Sequence, residues 1–436
     1  MSSLSTLFFL LLIPNIGHAY LDPASGSAIL YLTITAITSL VFYSRSILVI
    51  GYAKLLAIFK RETNSENEVV IYSEGKRYWN TFSPLLKEFI RNDKDILYLT
   101  SSKDDPAFDM KHPRLHVKYI GNQVLACSYL NYLTTKILIT TTPQLNVFTF
   151  KKTKRVSHYI HVVHAPIDLH TYRKFAFDYF DSVFCSGPHQ IRSIRNLEII
   201  RGTQPKRLYK TGLLYYDEIK AYPQKNNNNI NSNLKTILIA PTWKEYSLLN
   251  SFGLELIQKL LGAETYNIIF RPHPQSLISY KALTNKLILK CSKHPNFSVD
   301  LNDGPEKSIN DSDLLISDLS GIVWDYIFTQ EKPVLLFDTP QKLYGFEDTE
   351  LPHTSWEREL IRNHLTTFKR SDLQNINIKI DSTLQLWDKS TLAEEKHRSI
   401  YNFKSAAPVA YKQIQSILEN EFTNSCYDTY TFFIFN

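Results

Sequence analysis

The feature that most constrains this chain is a rhythm of short, β-branched apolar runs separated by segments of helix length. Val69-Val70-Ile71-Tyr72, Ile96-Leu97-Tyr98-Leu99, Lys136 to Thr140, Tyr159 to Val163 and Ser182 to Cys185 read as strands. Between the first two, Trp79 to Arg91 sets Phe82, Leu85, Leu86, Phe89 and Ile90 at helical spacing. Residues 225–233 then break the pattern: they are Asn-rich, polar and aperiodic, which makes them a linker. Beyond them the rhythm restarts with Thr236 to Ala240, a helix over Leu248 to Leu261, Asn267 to Phe270, Leu314 to Ile316 and Val334 to Phe337. Strands that are apolar throughout, spaced by helices, belong to parallel sheets buried on both faces. The expected fold is α/β, with one domain over 66–224 and a second over 234–422. Ligands of such sheets bind outside the carboxyl ends of the strands, so the chemistry is expected there, in a cleft between the two domains.

The first sixty residues read differently. Leu4 to Ile13 is an apolar run ended by Pro14, and Gly17 and Ala19 supply small residues before Tyr20. Residues 1–19 therefore look like a signal segment, although no Lys or Arg precedes the apolar run. Ala28 to Ile50 is apolar apart from Arg45, and Arg45, Lys54, Lys60 and Arg61 follow on its C-terminal side. Residues 20–62 are thus expected to form a transmembrane and juxtamembrane anchor that leaves the remainder in the cytoplasm. Residues 423–436 form a tail whose Phe432-Phe433-Ile434-Phe435 is apolar.

Composition excludes several classes. With 44% hydrophobic residues, 25 Phe and 26 Tyr, the chain buries sizeable cores and is neither disordered nor collagen-like. Cys127, Cys185, Cys291 and Cys426 are scattered without a C-x-x-C pair, which argues against a disulfide framework or a structural zinc knot. A net charge of +7 is too mild to demand nucleic acid and suits anionic headgroups or a phosphorylated substrate equally well.

Candidate functional residues cluster at strand ends. In His158-Tyr159-Ile160-His161-Val162-Val163-His164-Ala165-Pro166, strand alternation sends His161 away from the other two histidines. No metal is assigned to them, and His164, last before the turn, is the candidate general base. Ala240-Pro241-Thr242-Trp243-Lys244 offers a hydroxyl from Thr242 and an ammonium from Lys244 to an anionic oxygen. In Arg271-Pro272-His273-Pro274 two prolines fix an extended turn that presents Arg271 and His273. Arginine grips phosphate bidentately, and a protonated histidine donates to it. Ser317-Asp318-Leu319-Ser320-Gly321 leads from a strand into a helix expected over Ile322 to Phe328. Helix N-termini attract phosphate, though Ser317, Asp318 or Ser320 would also serve as a plain N-cap.

Taken in order, a histidine turn, A-P-T-W-K, R-P-H-P, S-D-L-S-G with Trp324-Asp325-Tyr326, and Glu331-Lys332-Pro333 resemble the CDP-glycerol glycerophosphotransferase family of teichoic-acid-type polymerases and primases. Thr211-Gly212-Leu213-Leu214-Tyr215-Tyr216-Asp217 is similar to the family's T-G-x-x-x-x-D segment, and Tyr20 to Ser27 to a membrane-anchor motif of one branch. The resemblance runs over about 155–340. It implies a GT-B fold of two Rossmann-like domains facing a cleft, and transfer of a polyol phosphate, most simply glycerol phosphate, from a CDP-activated donor to a lipid-linked acceptor, with release of CMP. It implies catalytic roles for His164 and His273, and donor binding by Arg271, Thr242, Lys244, Ser317, Asp318, Ser320 and Gly321. No cofactor and no nucleic-acid partner is expected. The implied location is the bacterial cytoplasmic membrane, with the catalytic domains on the cytoplasmic side. The chain departs from the family pattern in three places: H-G-T is His164-Ala165-Pro166, A-P-T-W-R ends in Lys244, and S-D-x-S-S ends in Gly321. The alanine narrows the acceptor-side approach. A nucleotide-sugar glycosyltransferase and a non-catalytic, membrane-tethered nucleotide- or glycan-binding relic are the alternative readings.

Overall fold

A computed structural model describes residues 31–44, 47–48, 50–51, 67–219, 234–302, 304–339 and 345–420. The signal-like segment 1–19, the linker 225–233 and the tail 423–436 lie outside the described residues, as does part of the anchor. The chain divides into two compact units, 1–60 and 61–436.

In the first unit a helix covers 31–44, with Tyr31, Leu32, Leu40, Phe42 and Tyr43 exposed on it. Among the described residues no helix is long and apolar enough to cross a membrane. The transmembrane helix expected over 28–50 is therefore not supported; residues 28–30, 45–46 and 49 of it lie outside the described set.

The second unit holds two parallel sheets. The first runs in the order β3-β2-β1-β4-β5-β6-β7. Its strands are β1 Val69–Ser73, β2 Ile96–Thr100, β3 Leu115–Tyr119, β4 Thr135–Thr140, β5 Val156–Val162, β6 Ser182–Cys185 and β7 Arg207–Lys210. Its helices include α1 Trp79–Arg91, α2 Gln123–Tyr132 and α3 Pro188–Arg201. The second sheet runs β10-β9-β8-β11-β12-β13. Its strands are β8 Lys235–Ile239, β9 Tyr266–Phe270, β10 Phe297–Val299, β11 Leu314–Ser317, β12 Val334–Phe337 and β13 Thr366–Phe368. The helices that follow in the chain include α4 Leu254–Gly262, α5 Lys281–Cys291, α6 Gly321–Asp325, α7 Trp356–His364, α8 Ile376–Leu386, α9 Lys389–Ser399 and α10 Ala406–Leu418. Strand order reverses between β1 and β4 in one sheet and between β8 and β11 in the other, which opens a crevice at each point. The α/β, GT-B-like architecture expected from the sequence is the one observed.

One apolar cluster draws on both sheets: Val70 and Leu138 from the first, Leu238 and Leu315 from the second, together with Trp324 and Trp356. The first sheet's other face packs Ile71 and Ile139 with Phe82 and Phe89 of α1 and with Ala410 and Ile414 of α10. The second sheet's other face packs Ile237, Ile268 and Leu314 with Leu256 and Leu260 of α4. The last described helix thus returns to the first sheet, where Phe89 meets Tyr411 edge-on at 5.1 Å. Asp217 fixes that return by accepting from the backbone N–H groups of Ala406 and Ala407 at 2.9 and 2.7 Å. Packing therefore groups 406–418 with the first sheet, whereas the sequence boundary at 422 places them with the second. A contact that spans some 190 residues leaves no local mark.

Candidate active site

Three adjacent strands of the second sheet end at the same rim. β8 leads into Ala240-Pro241-Thr242-Trp243-Lys244, β9 into Arg271-Pro272-His273, and β11 into Asp318-Leu319-Ser320-Gly321. Because β8 and β11 flank the switch point, these turns border the crevice. The side chains at this rim divide into those that hold the turns and those left to face outward.

Asp318 belongs to the first group. It is fully buried, and its carboxylate accepts from the backbone N–H of Thr242 and of Leu248, each at 2.7 Å. Burial raises its pKa, and the two backbone donors oppose that rise. Ser317, also fully buried, donates to the Ala240 carbonyl at 2.6 Å. Arg271 is engaged as well: Nη1 donates to Asp300 at 2.8 Å and Nη2 to the Asn302 carbonyl at 3.0 Å. Ser317, Asp318 and Arg271, which the family resemblance implies in donor binding, are engaged here with groups of the protein itself. Their polar atoms fix the rim, because a buried charge or hydroxyl beside backbone groups must first satisfy those groups.

His273, Lys244, Thr242, Ser320 and Gly321 form the outward group. His273 Nδ1 accepts from the Gln275 backbone N–H at 3.0 Å, so its ring proton sits on Nε2. Burial, then neighbouring Arg271, lowers its pKa, so at neutral pH it is a neutral Nε2–H donor and not the expected imidazolium. The exposed Trp243 ring lies 6.4 Å from the His273 ring. Lys244 has an exposed side chain; desolvation of its ammonium lowers its pKa, with Asp318 and Glu357 pulling it up. Ser320 precedes α6 in an extended conformation, and its side chain makes no capping bond. A Cβ built on Gly321 meets no atom within 4 Å.

The first sheet supplies the opposite wall. His164 follows β5 directly, with its ring against Tyr78 at 5.1 Å, edge to face. Its Nδ1 is buried without a partner, which leaves Nε2 as the ring nitrogen toward open space. Burial lowers its pKa to about 4, with Glu74 raising and Arg77 lowering it further. His161 points the other way, between Phe177 and Phe180, as strand alternation requires. A cavity of about 390 Å³ joins the walls: Arg77, His164 and Tyr215 line it from one side, Glu306, Gly321 and Asp325 from the other. Thr242, Lys244 and His273 are not among its lining residues; they continue the rim outward from the Asp318–Thr242 contact.

Two groups at this site escaped the sequence reading. Asp325 is partly buried on the cavity wall and accepts from the hydroxyls of Tyr215 and Tyr216. Burial pushes its pKa up to about 6, against the pull of those two donors. Arg77 follows β1 and pairs with Glu74 at 2.7 Å. The only signal for Asp325 was its place in Trp324-Asp325-Tyr326; Arg77 had none.

Two doubly wound parallel sheets, with a histidine on one wall and a hydroxyl-, ammonium- and imidazole-bearing rim on the other, make a GT-B-like cleft. Residues 197–349 match the family described as CDP-Glycerol:Poly(glycerophosphate) glycerophosphotransferase, so the family resemblance is shown over the segment that holds the whole rim, and the enzyme class with it. No curated protein matches the sequence. Among solved structures, the wall teichoic acid polymerase TagF soaked with CDPG is 16% identical, covers 89% of this chain and 97% of its own, and superposes with a TM-score of 0.53. A putative UDP-N-acetylglucosamine 2-epimerase from Listeria monocytogenes is 14% identical over 82% of this chain and 97% of its own, with a TM-score of 0.54. S. aureus MnaA with UDP is 13% identical over 81% and 96%, with a TM-score of 0.55. At these identities the likeness speaks for the fold alone.

Proposed function

We propose that the chain transfers glycerol phosphate from CDP-glycerol to a lipid-linked acceptor in the synthesis of a teichoic-acid-like or capsular surface polymer. The observation that carries this reading is the placing of Gly321, within the matched segment, on the same cavity as His164. The acceptor hydroxyl attacks the phosphorus that bears glycerol, the bond from that phosphorus to the CMP oxygen breaks, and CMP leaves. His164 Nε2 takes the hydroxyl proton. Because its pKa is held low, the lone pair is free at neutral pH. On the donor side the Nε2–H of His273, the Lys244 ammonium and the hydroxyls of Thr242 and Ser320 compensate the charge that grows on the leaving nucleotide. The reaction is assigned to the cytoplasmic face of a bacterial membrane; the exposed apolar side chains of helix 31–44 and the basic residues after it support that location.

The test is to incubate the full chain in membranes with labelled CDP-glycerol, CDP-ribitol and nucleotide sugars. Label is expected in polymer from CDP-glycerol. Incorporation from a nucleotide sugar alone would sink the proposal in favour of a glycosyltransferase.

A further inference from the structure

Just beyond the His164 turn lies a buried cluster that the transfer reaction does not use. Asp168 and His170 follow β5 and are 0% and 2% exposed; His353 reaches them from the loop before α7. Asp168 Oδ2 stands 3.5 Å from His170 Nδ1 and 4.0 Å from His353 Nε2. The three donor atoms all lie within 4.8 Å of one another. Bonds of about 2.0–2.2 Å around a tetrahedral zinc ion place neighbouring donors roughly 3.4 Å apart. Closing the set to that spacing shortens the widest separation by up to about 1.4 Å, shared between two side chains.

The hydrogen bonds around the three donors carry the argument further. His170 Nε2 lies 2.8 Å from the His353 carbonyl, which only accepts, so Nε2 holds the ring proton. In a neutral ring Nδ1 is then a lone pair, and it faces a carboxylate oxygen while having no hydrogen-bond partner of its own. A buried lone pair and a carboxylate turned toward each other take a cation between them: either a proton on His170, whose pKa burial lowers but Asp168 raises on balance, or a metal ion. Among the described residues the ion pairs of Asp168 run to the two histidines and to no lysine or arginine. A proton would serve one pair of these atoms, whereas three donors converge. The remaining contacts orient the donors, as partners behind a metal ligand do. Asp168 Oδ1 accepts from Leu169 N at 2.7 Å and from Ser193 Oγ at 2.6 Å, and Oδ2 accepts from Trp356 N at 3.2 Å. Asn196 lies 3.2 Å from His353 Nδ1; turning its amide over lets that nitrogen donate and frees Nε2. Ser193 Oγ, 3.1 Å from His353 Nε2, stands where a fourth ligand would sit.

We propose that Asp168, His170 and His353 bind one divalent transition-metal ion of the zinc class, which clamps the turn carrying His164 to the loop before α7. Two imidazoles with one carboxylate select such an ion over calcium or magnesium, which prefer oxygen donors alone. None of the three ligands lines the cavity shared by His164 and Gly321, so the ion's role is structural and independent of which donor is used.

The full chain, purified without chelator or histidine tag, is analysed for metal by plasma mass spectrometry, then stripped and titrated with zinc while its melting temperature is followed. The expected result is about one zinc per chain, with a melting temperature that falls on stripping and returns on titration. His353→Ala, at the most exposed of the three ligands, should retain its circular dichroism and bind zinc at least ~10-fold more weakly. Cobalt should give the visible bands of a nitrogen- and oxygen-ligated ion in wild type and not in the variant. A wild-type chain that takes up no zinc and melts unchanged with chelator overturns the proposal, as does a His353→Ala variant with wild-type zinc affinity. Either result would leave a proton shared between Asp168 and His170.

Discussion

Asp318→Asn separates a group that binds donor phosphate from one that holds the rim. The wild-type carboxylate satisfies two backbone donors, Thr242 N and Leu248 N, each at 2.7 Å in a fully buried setting. An asparagine keeps the volume but offers one oxygen, and its NH₂ faces the second N–H. An unsatisfied buried donor costs about 1–3 kcal/mol, and the donor–donor contact adds to it. Against this, the raised pKa of Asp318 shows that burying its charge is itself unfavourable, so removing the charge returns part of the loss. The net expectation is a destabilisation of about 2–3 kcal/mol. It should read out as a lower midpoint in urea with unchanged slope. Because Thr242 and Lys244 sit on the released turn, KM for the donor should rise about tenfold or more while kcat falls less. A variant as stable as wild type, within about 0.5 kcal/mol, that has nonetheless lost donor binding would refute the reasoning and return Asp318 to the ligand.

His164 must be unprotonated to act, and its pKa is held near 4; kcat/KM should therefore stay level as pH falls through 6 and drop only near 4 to 5. An acid limb centred near 6.5 in the pH profile contradicts this. Asp325 titrates near 6 in the folded chain against about 3.9 when unfolded, so its contribution is fully present below pH 4 and is lost as pH rises through 6, a change of about 3 kcal/mol. Asp325→Asn should flatten that part of the stability–pH curve measured by denaturant unfolding; an unchanged curve rules the assignment out. Gly321→Ser restores the family pattern at a position where a Cβ meets nothing within 4 Å. Its melting temperature should match wild type and its donor KM should fall; a loss of stability would mean the space is not free.

The central strands were legible in the sequence because they are buried on both faces and so read as unbroken apolar runs. β1, β2, β4, β6, β8, β9, β11 and β12 all fall on such runs. The flanking strands were not. His116 and Lys118 interrupt β3, Arg207 and Lys210 bound β7, and β10 and β13 have three residues each. Edge strands are kept short and polar against unwanted pairing, which also removes their signature. At the site, residue type and strand-end position singled out His164, His273, Lys244 and Gly321 as candidates. They could not tell a carboxylate that faces a ligand from one that caps a turn, since Asp318 and Asp217 owe their roles to backbone groups distant in sequence. The same limit hid Asp325, whose partners are two tyrosines more than 100 residues earlier.

The most direct test of the account is phosphorus NMR of purified enzyme with CDP-glycerol and a lipid-linked acceptor. Wild type should convert the diphosphate signals to CMP and a phosphodiester in equal amounts. His164→Ala and His273→Ala, both folded, should each slow that conversion by at least ~100-fold. Conversion at the wild-type rate by both variants, or release of CDP in place of CMP, would contradict transfer of a phosphoryl group at this cleft.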